Sequence, residues 1–166
     1  MFCMKTSKII LLAGGLLALA SSAFAQAADL SHSDRRFFEK AAKAGAKEVE
    51  ISQAVLGKAV TPATREFAQT MVSDHNKLAD ELKALADKKG VTLPAPEMKY
   101  GEKWVKNDKD VDDEYLKEMV SDHKDAVDLF KDAAKSKDAD IAAFASKNLP
   151  ALEHHLEMAK NLKKNR

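Results

Sequence analysis

The stretch GVTLPAPEMKYGEKWVKNDK, residues 90–109, decides the fold. It carries Pro94, Pro96, Gly101 and the chain's one tryptophan, Trp104, and it interrupts a sequence that otherwise reads as helix. On either side, apolar residues recur at intervals of three and four, and β-branched runs are absent. That period is helical. Two helices are predicted before the stretch. The first runs from about Asp34 to Lys58, capped by Ser31 or Ser33. The second runs from Thr61-Pro62, a cap with proline in the first turn, to Lys89, where Gly90 stops it. Two follow: a third from near Asp110 to about Lys135, and a fourth from after Asp138 to Lys163. Pro150 falls inside the fourth and is expected to kink it or split it in two. Links within each pair are short, which makes antiparallel hairpins. The long link reaches roughly 65 Å when extended, against about 42 Å for the second helix. It is long enough to cross a whole bundle. The expected architecture is all-α, a four-helix bundle with a long crossover between helices two and three, rather than a simple up-down-up-down bundle. Trp104 and Tyr100 are expected to pack over one bundle end.

The first residues read differently. Lys5 and Lys8 precede a short apolar run, Ile9 to Ala20, and Ala23-Phe24-Ala25 forms a small-x-small pattern. Residues 1–25 are therefore expected to be a secretory signal peptide, cut after Ala25 or Ala27. This leaves residues 26–166 as one domain in the periplasm, with no membrane span after cleavage. Cys3, the one cysteine, lies in the segment removed, so the mature chain has no disulfide and no thiolate. Cleavage takes two lysines from the 27 Lys+Arg, leaving 25 against 26 Asp+Glu. A nearly neutral, mixed surface gives no reason to expect nucleic acid as a partner. Lys160, Lys163, Lys164 and Arg166 suit a helix C-terminus.

Within the second and third helices one pentapeptide recurs: Met71-Val72-Ser73-Asp74-His75 and Met119-Val120-Ser121-Asp122-His123. Aligning Glu66–Gly90 with Glu114–Asp138 gives 10 identities in 25 positions, so the similarity covers most of both helices. Helical spacing places each repeated histidine in the apolar stripe. His75 falls among Ala68, Met71, Leu78, Leu82 and Leu85, and His123 among Leu116, Met119, Ala126, Val127 and Phe130. In the fourth helix His155 lies between Ile141, Ala145, Leu152, Ala159 and Leu162, with His154 on the flank. In the first, Glu48 fills the gap in the series Phe38, Ala41, Gly45, Ser52, Val55 and Ala59. Glu50 is expected to point away among Lys43, Lys47 and Gln53. His32 is expected to precede the first helix, in solvent.

All four inward residues lie near mid-helix, so Glu48, His75, His123 and His155 are candidate ligands converging from four helices. A buried carboxylate must be paired, protonated or bound to a cation. Imidazole with carboxylate suits a transition metal such as Fe, Zn, Cu, Mn or Ni. Asp74 and Asp122 are candidates to steady ligand histidines from behind. A purely structural polar core is the competing reading, since a lone core histidine is usually a hydrogen-bonded one. Non-covalent haem held by facing histidines, or by a Met-His pair, is a third. Met71, Met119 and Met158 read as core filler. Catalysis is the weakest reading, because the sequence offers no candidate serine or cysteine nucleophile and no glycine-rich phosphate loop.

The exported prelude resembles that of a known family, as do Phe67-Ala68…Met71-Val72…Asp74-His75, Gly90…Leu93-Pro94, Tyr115…Met119-Val120…Asp122-His123…Phe130 and Phe144-Ala145…Leu149-Pro150…His155-Leu156. The family is the bacterial exported group catalogued as domain of unknown function 4142, in the ferritin-like superfamily. The resemblance spans nearly the whole mature chain. It implies a ferritin-like four-helix bundle exported to the periplasm and carries no activity. The di-iron motif of that superfamily, Glu-x-x-His, is absent: Val72, Val120 and Leu152 stand where the glutamates belong. A mononuclear, histidine-rich site serving sequestration or stress protection fits better.

Overall fold

The computed structural model describes residues 30–58, 60–105 and 110–166. The expected signal peptide and Ala59 lie outside these residues. Helix α1 spans His32–Leu56, α2 Pro62–Lys89, α3 Gly101–Val105, α4 Val111–Ala133 and α5 Ala139–Lys164. The four long helices are those read from the sequence, with ends shifted by a few residues. His32 is the first residue of α1 rather than preceding it, and it is exposed.

Side-chain caps fix the helix starts. The Ser31 hydroxyl accepts from the Asp34 amide at 3.1 Å, and Thr61 accepts from Thr64 at 3.3 Å. Asp110 takes the Asp113 amide at 3.1 Å, and Asp138 takes those of Asp140 and Ile141 at 3.0 and 3.2 Å. Each satisfies amides that the first helical turn leaves without partners, at about 1 kcal/mol per cap. Gly90 ends α2 in the left-handed conformation at φ 66°, and the Val91 amide returns to the Ala86 carbonyl at 2.9 Å. A side chain at that φ would be strained.

Cross-helix contacts give the direction of each element. Asp112 at the start of α4 accepts from the Thr61 hydroxyl at 2.7 Å, so α4 and α2 begin at the same end. The Arg166 guanidinium at the chain's end meets Asp110 there, at 2.8 Å. At the opposite end the Ser136 hydroxyl donates to Asp34 and Lys89 pairs with Asp138. Helices α1–α2 and α4–α5 are therefore antiparallel hairpins, and the chain leaves α2 at one end of the bundle and enters α4 at the other. This is the expected crossover. It makes α2 and α4, which bear the repeated pentapeptide, parallel to each other on one diagonal, with α1 and α5 on the other.

The crossover is held against α1. The Gly101 amide donates to Glu50 Oε1 at 2.7 Å, and Lys47 Nζ stands 5.8 Å from the Tyr100 ring centre. Trp104 is buried edge-on against Tyr115 near the start of α4, 6.2 Å between ring centres, whereas Tyr100 lies beside Lys47 along the middle of α1 rather than over the bundle end as expected. Glu50 is thus buried, not pointing into solvent as its helical position suggested. It faces a segment that no helical periodicity reveals.

Helix α5 runs unbroken through Pro150, so the split allowed by the sequence does not occur. The carbonyl deprived of its amide belongs to Ser146, which is exposed. Apolar anchors on both sides, Phe144 and Ala145 before and Leu152 and Leu156 after, are buried. Phe144, Leu152 and Leu156 each contribute on the order of 1.5–3 kcal/mol, enough together to offset a proline cost of about 3 kcal/mol.

The core is in two parts. One is built on Phe37, Phe38, Leu82, Phe130, Ile141 and Phe144, with Phe37 and Phe130 edge-on at 5.2 Å. The other is built on Ile51, Phe67, Met71, Trp104, Tyr115 and Met119, where Ser52 and Tyr115 share a buried hydrogen bond of 2.8 Å. Met71 and Met119 are core filler, as expected. On every long helix, one buried polar residue separates the two parts.

Candidate metal centre

That polar layer consists of Glu48 on α1, His75 on α2, His123 on α4 and His155 on α5, each at most 3 % exposed. The sequence places them by one rule: each occupies a position that helical spacing gives to an apolar residue. The structure brings all four together. Ring centres lie 5.4 Å apart for His75 and His123, and 5.5 Å for both His75–His155 and His123–His155. One potential ligand atom from each histidine lies within 4.8 Å of the others. Glu48 stands outside that set of three but touches it, with Oε2 3.0 Å from His75 Nδ1 and Oε1 3.6 Å from His123 Nδ1.

His123 and His155 each have one ring nitrogen hydrogen-bonded and one without a partner, and His75 has neither bonded. His123 donates from Nδ1 to the Met119 carbonyl of the preceding turn, at 3.0 Å. His155 donates from Nε2 to Asp74 Oδ2, at 3.0 Å. His75 turns Nδ1 toward Glu48, close in distance but outside hydrogen-bond geometry. The other nitrogens, His75 Nε2, His123 Nε2 and His155 Nδ1, are buried and have no protein partner. Leaving a buried polar atom without a partner costs roughly 1–3 kcal/mol. Among the described residues, the buried side-chain polar atoms without partners all belong to this layer or to adjoining Asp122.

Of the two aspartates expected behind the histidines, Asp74 holds His155 across the α2–α5 boundary rather than its neighbour His75. Asp122 holds no histidine; it pairs with Lys47 at 2.8 Å, and Lys47 also meets Glu118 at 2.7 Å. Sequence reading did not anticipate Lys47. The only signal was a lysine one residue before Glu48 on a face crowded with charge.

Charge is unevenly distributed. Burial opposes ionisation of Glu48, but the surrounding histidines, His75 foremost, hold its carboxyl below the ordinary range. Burial likewise disfavours charge on His75, yet Glu48 outweighs it and raises the imidazole. His123 is pushed down by burial, against the pull of Glu48. His155 is pushed down to about 4 by burial and by His75. Glu48 and His75 thus favour each other's charged forms, while His123 and His155 are biased toward neutral imidazole. Neutral imidazoles with a fixed tautomer are the form that binds a metal. Four-coordinate zinc takes nitrogen at about 2.0–2.1 Å, and ligand atoms within 4.8 Å of one another are compatible with a metal ion.

The sequence matches the family described as Domain of unknown function (DUF4142) over residues 19–162. The chain belongs to the DUF4142 family. Its fold has a likeness among solved structures. A DUF305 fragment from Deinococcus radiodurans superposes with a TM-score of 0.71 over 82 % of this chain and 99 % of that one, at 10 % identity. At that identity the likeness extends to the helical bundle alone. Comparison with curated proteins gave no match. Among the described residues of this DUF4142 chain, no helix is long and apolar enough to cross a membrane.

Proposed function

We propose that this DUF4142 protein is an exported bundle of the ferritin-like superfamily that binds one transition-metal ion in its core. His75, His123 and His155 are the nitrogen ligands, and Glu48, 3.0 Å from His75 Nδ1, is their counter-charge rather than a fourth ligand. Sequestration or buffering of the metal outside the cytoplasm is the role that suits a site with no nucleophile beside it. One observation carries the reading: three buried histidines each bring a ring nitrogen within 4.8 Å of the others, and each keeps at least one buried ring nitrogen without a protein partner. A packing-only core has no use for that pattern, since satisfied polar groups cost less.

The test uses mature protein purified without a histidine tag, stripped by chelator and reconstituted with Zn, Cu or Fe. About one ion per chain and a rise in melting temperature are expected. Failure of every metal to bind or to shift melting overturns the reading in favour of a structural polar layer. A Soret shift on adding hemin instead would move the assignment to haem.

A further inference from the structure

The polar layer is not shielded equally on its four sides. Between α1 and α4 it is closed by Lys47, whose ammonium bridges Glu118 and Asp122. The hollow on that side is lined by Lys47 and Asp122 but by no histidine of the site. The larger groove between α1, α2 and the crossover reaches Gly45, yet none of the four layer residues lines it. Helices α2 and α5 differ. They pack less extensively than the partners in either hairpin, and a cleft of about 320 Å³ lies between them. His75 and His155 themselves form part of its wall. Its rim carries Asp74, 48 % exposed at the side chain, with exposed Lys77, Lys147 and Ala151. The same Asp74 that reaches in to His155 therefore also reaches solvent.

This arrangement has a consequence for coordination. Three imidazoles leave a tetrahedral ion one position short, and sites built with three protein ligands hold that position for an exchangeable molecule. Neutral imidazoles do not cancel the charge of a divalent ion, and Glu48 lies on the His75 Nδ1 side. The remaining position therefore favours an anionic donor.

We propose, resting on the metal-binding reading above, that the centre is open through the α2–α5 cleft and that its ion takes a small exogenous anion as an exchangeable ligand. The cleft admits a ligand of a few atoms alongside its ordered side chains. The protein then does more than store metal: it presents a Lewis-acidic ion to small anions from one defined side. Asp74 and the rim lysines set which anions pass.

The experiment loads the full mature protein with Cu(II) or Co(II) and titrates azide while recording the visible spectrum. A saturable azide-to-metal charge-transfer or shifted ligand-field band is expected. Ala151→Phe, at an exposed position on the cleft rim, is expected to keep full metal content and weaken the azide response by about tenfold or more. Stoichiometric metal with a spectrum that azide does not move would overturn the open site while leaving metal binding intact. An azide response as strong in Ala151→Phe as in the parent would overturn the assignment to this cleft. No metal uptake at all would overturn both readings together.

Discussion

His155 donates its Nε2 proton to Asp74, and the bond crosses from α5 to α2. The aspartate that the sequence sets beside His75 thus serves the histidine of the neighbouring helix. It fixes the His155 tautomer and leaves Nδ1 buried and without a protein partner. Carboxylates placed in this way raise ligand basicity and hold ring orientation. Because Asp74 is half exposed, its role is separable from packing. Asp74→Ala is expected to weaken metal affinity about 10–100-fold with little change in apo stability. A competition titration against a chromophoric chelator, alongside thermal melts, measures both. Unchanged affinity would show that Asp74 has no hold on the site.

The Glu48–His75 pair is predicted to be costly to break and cheaper to replace. Glu48→Leu alone strands a protonated or desolvated His75, and His75→Leu alone strands the carboxylate. Each is expected to cost about 3–5 kcal/mol in apo protein. The double replacement removes both charges and fills the space with apolar volume, so its loss is expected to be well below the sum. Urea unfolding of the four proteins gives the coupling. Strict additivity would mean that the 3.0 Å approach carries no energy.

Metal uptake is predicted to release a proton. Glu48 raises His75 above its ordinary 6.5, so the apo imidazole keeps its proton to higher pH than a free histidine, and coordination must displace it. Calorimetric titrations in buffers of different ionisation enthalpy are expected to show proton release on metal binding that grows as the pH is lowered toward 6.5. A buffer-independent enthalpy would contradict the charge assignment.

Acid is predicted to destabilise the apo bundle through the other two histidines. His155, at about 4 in the fold against 6.5 ordinarily, stays neutral where the unfolded chain is protonated. Its contribution is present above pH 6.5 and is lost as pH falls toward 4, and His123 acts in the same direction. Glu48, held below 4.5, adds a loss at the acid end. His75 does not oppose them in this range, because a raised value gives stability that is fully present below 6.5 and lost only at higher pH. The apo melting temperature is therefore expected to fall as pH drops from 6.5 to about 4. A flat or rising profile would contradict this balance.

The bundle was readable because period, caps and one over-long link agree. Gly90, Thr61-Pro62 and Asp138 mark helix ends chemically, and residues 90–109 are too long for a hairpin turn. The buried polar layer was readable because His75, His123, His155 and Glu48 break apolar stripes near mid-helix. What escaped depended on contacts between elements. Glu50 sits on the polar side of α1 by period, yet it is buried because the crossover lays Gly101 against it. Asp122 repeats Asp74 in sequence, but α4 faces Lys47 of α1 where α2 faces His155 of α5, so identical pentapeptides meet different partners. Pro150 carries a local penalty that tertiary packing overrides.

The central claim is that three imidazoles meet on one ion. X-ray absorption on zinc-loaded, untagged mature protein tests it most directly. The predicted result is about three imidazole nitrogens at about 2.0–2.1 Å from zinc, with the imidazole contribution falling in His75→Leu together with His123→Leu. A spectrum of oxygen ligands without imidazole scattering, or one unchanged in that double variant, would contradict it.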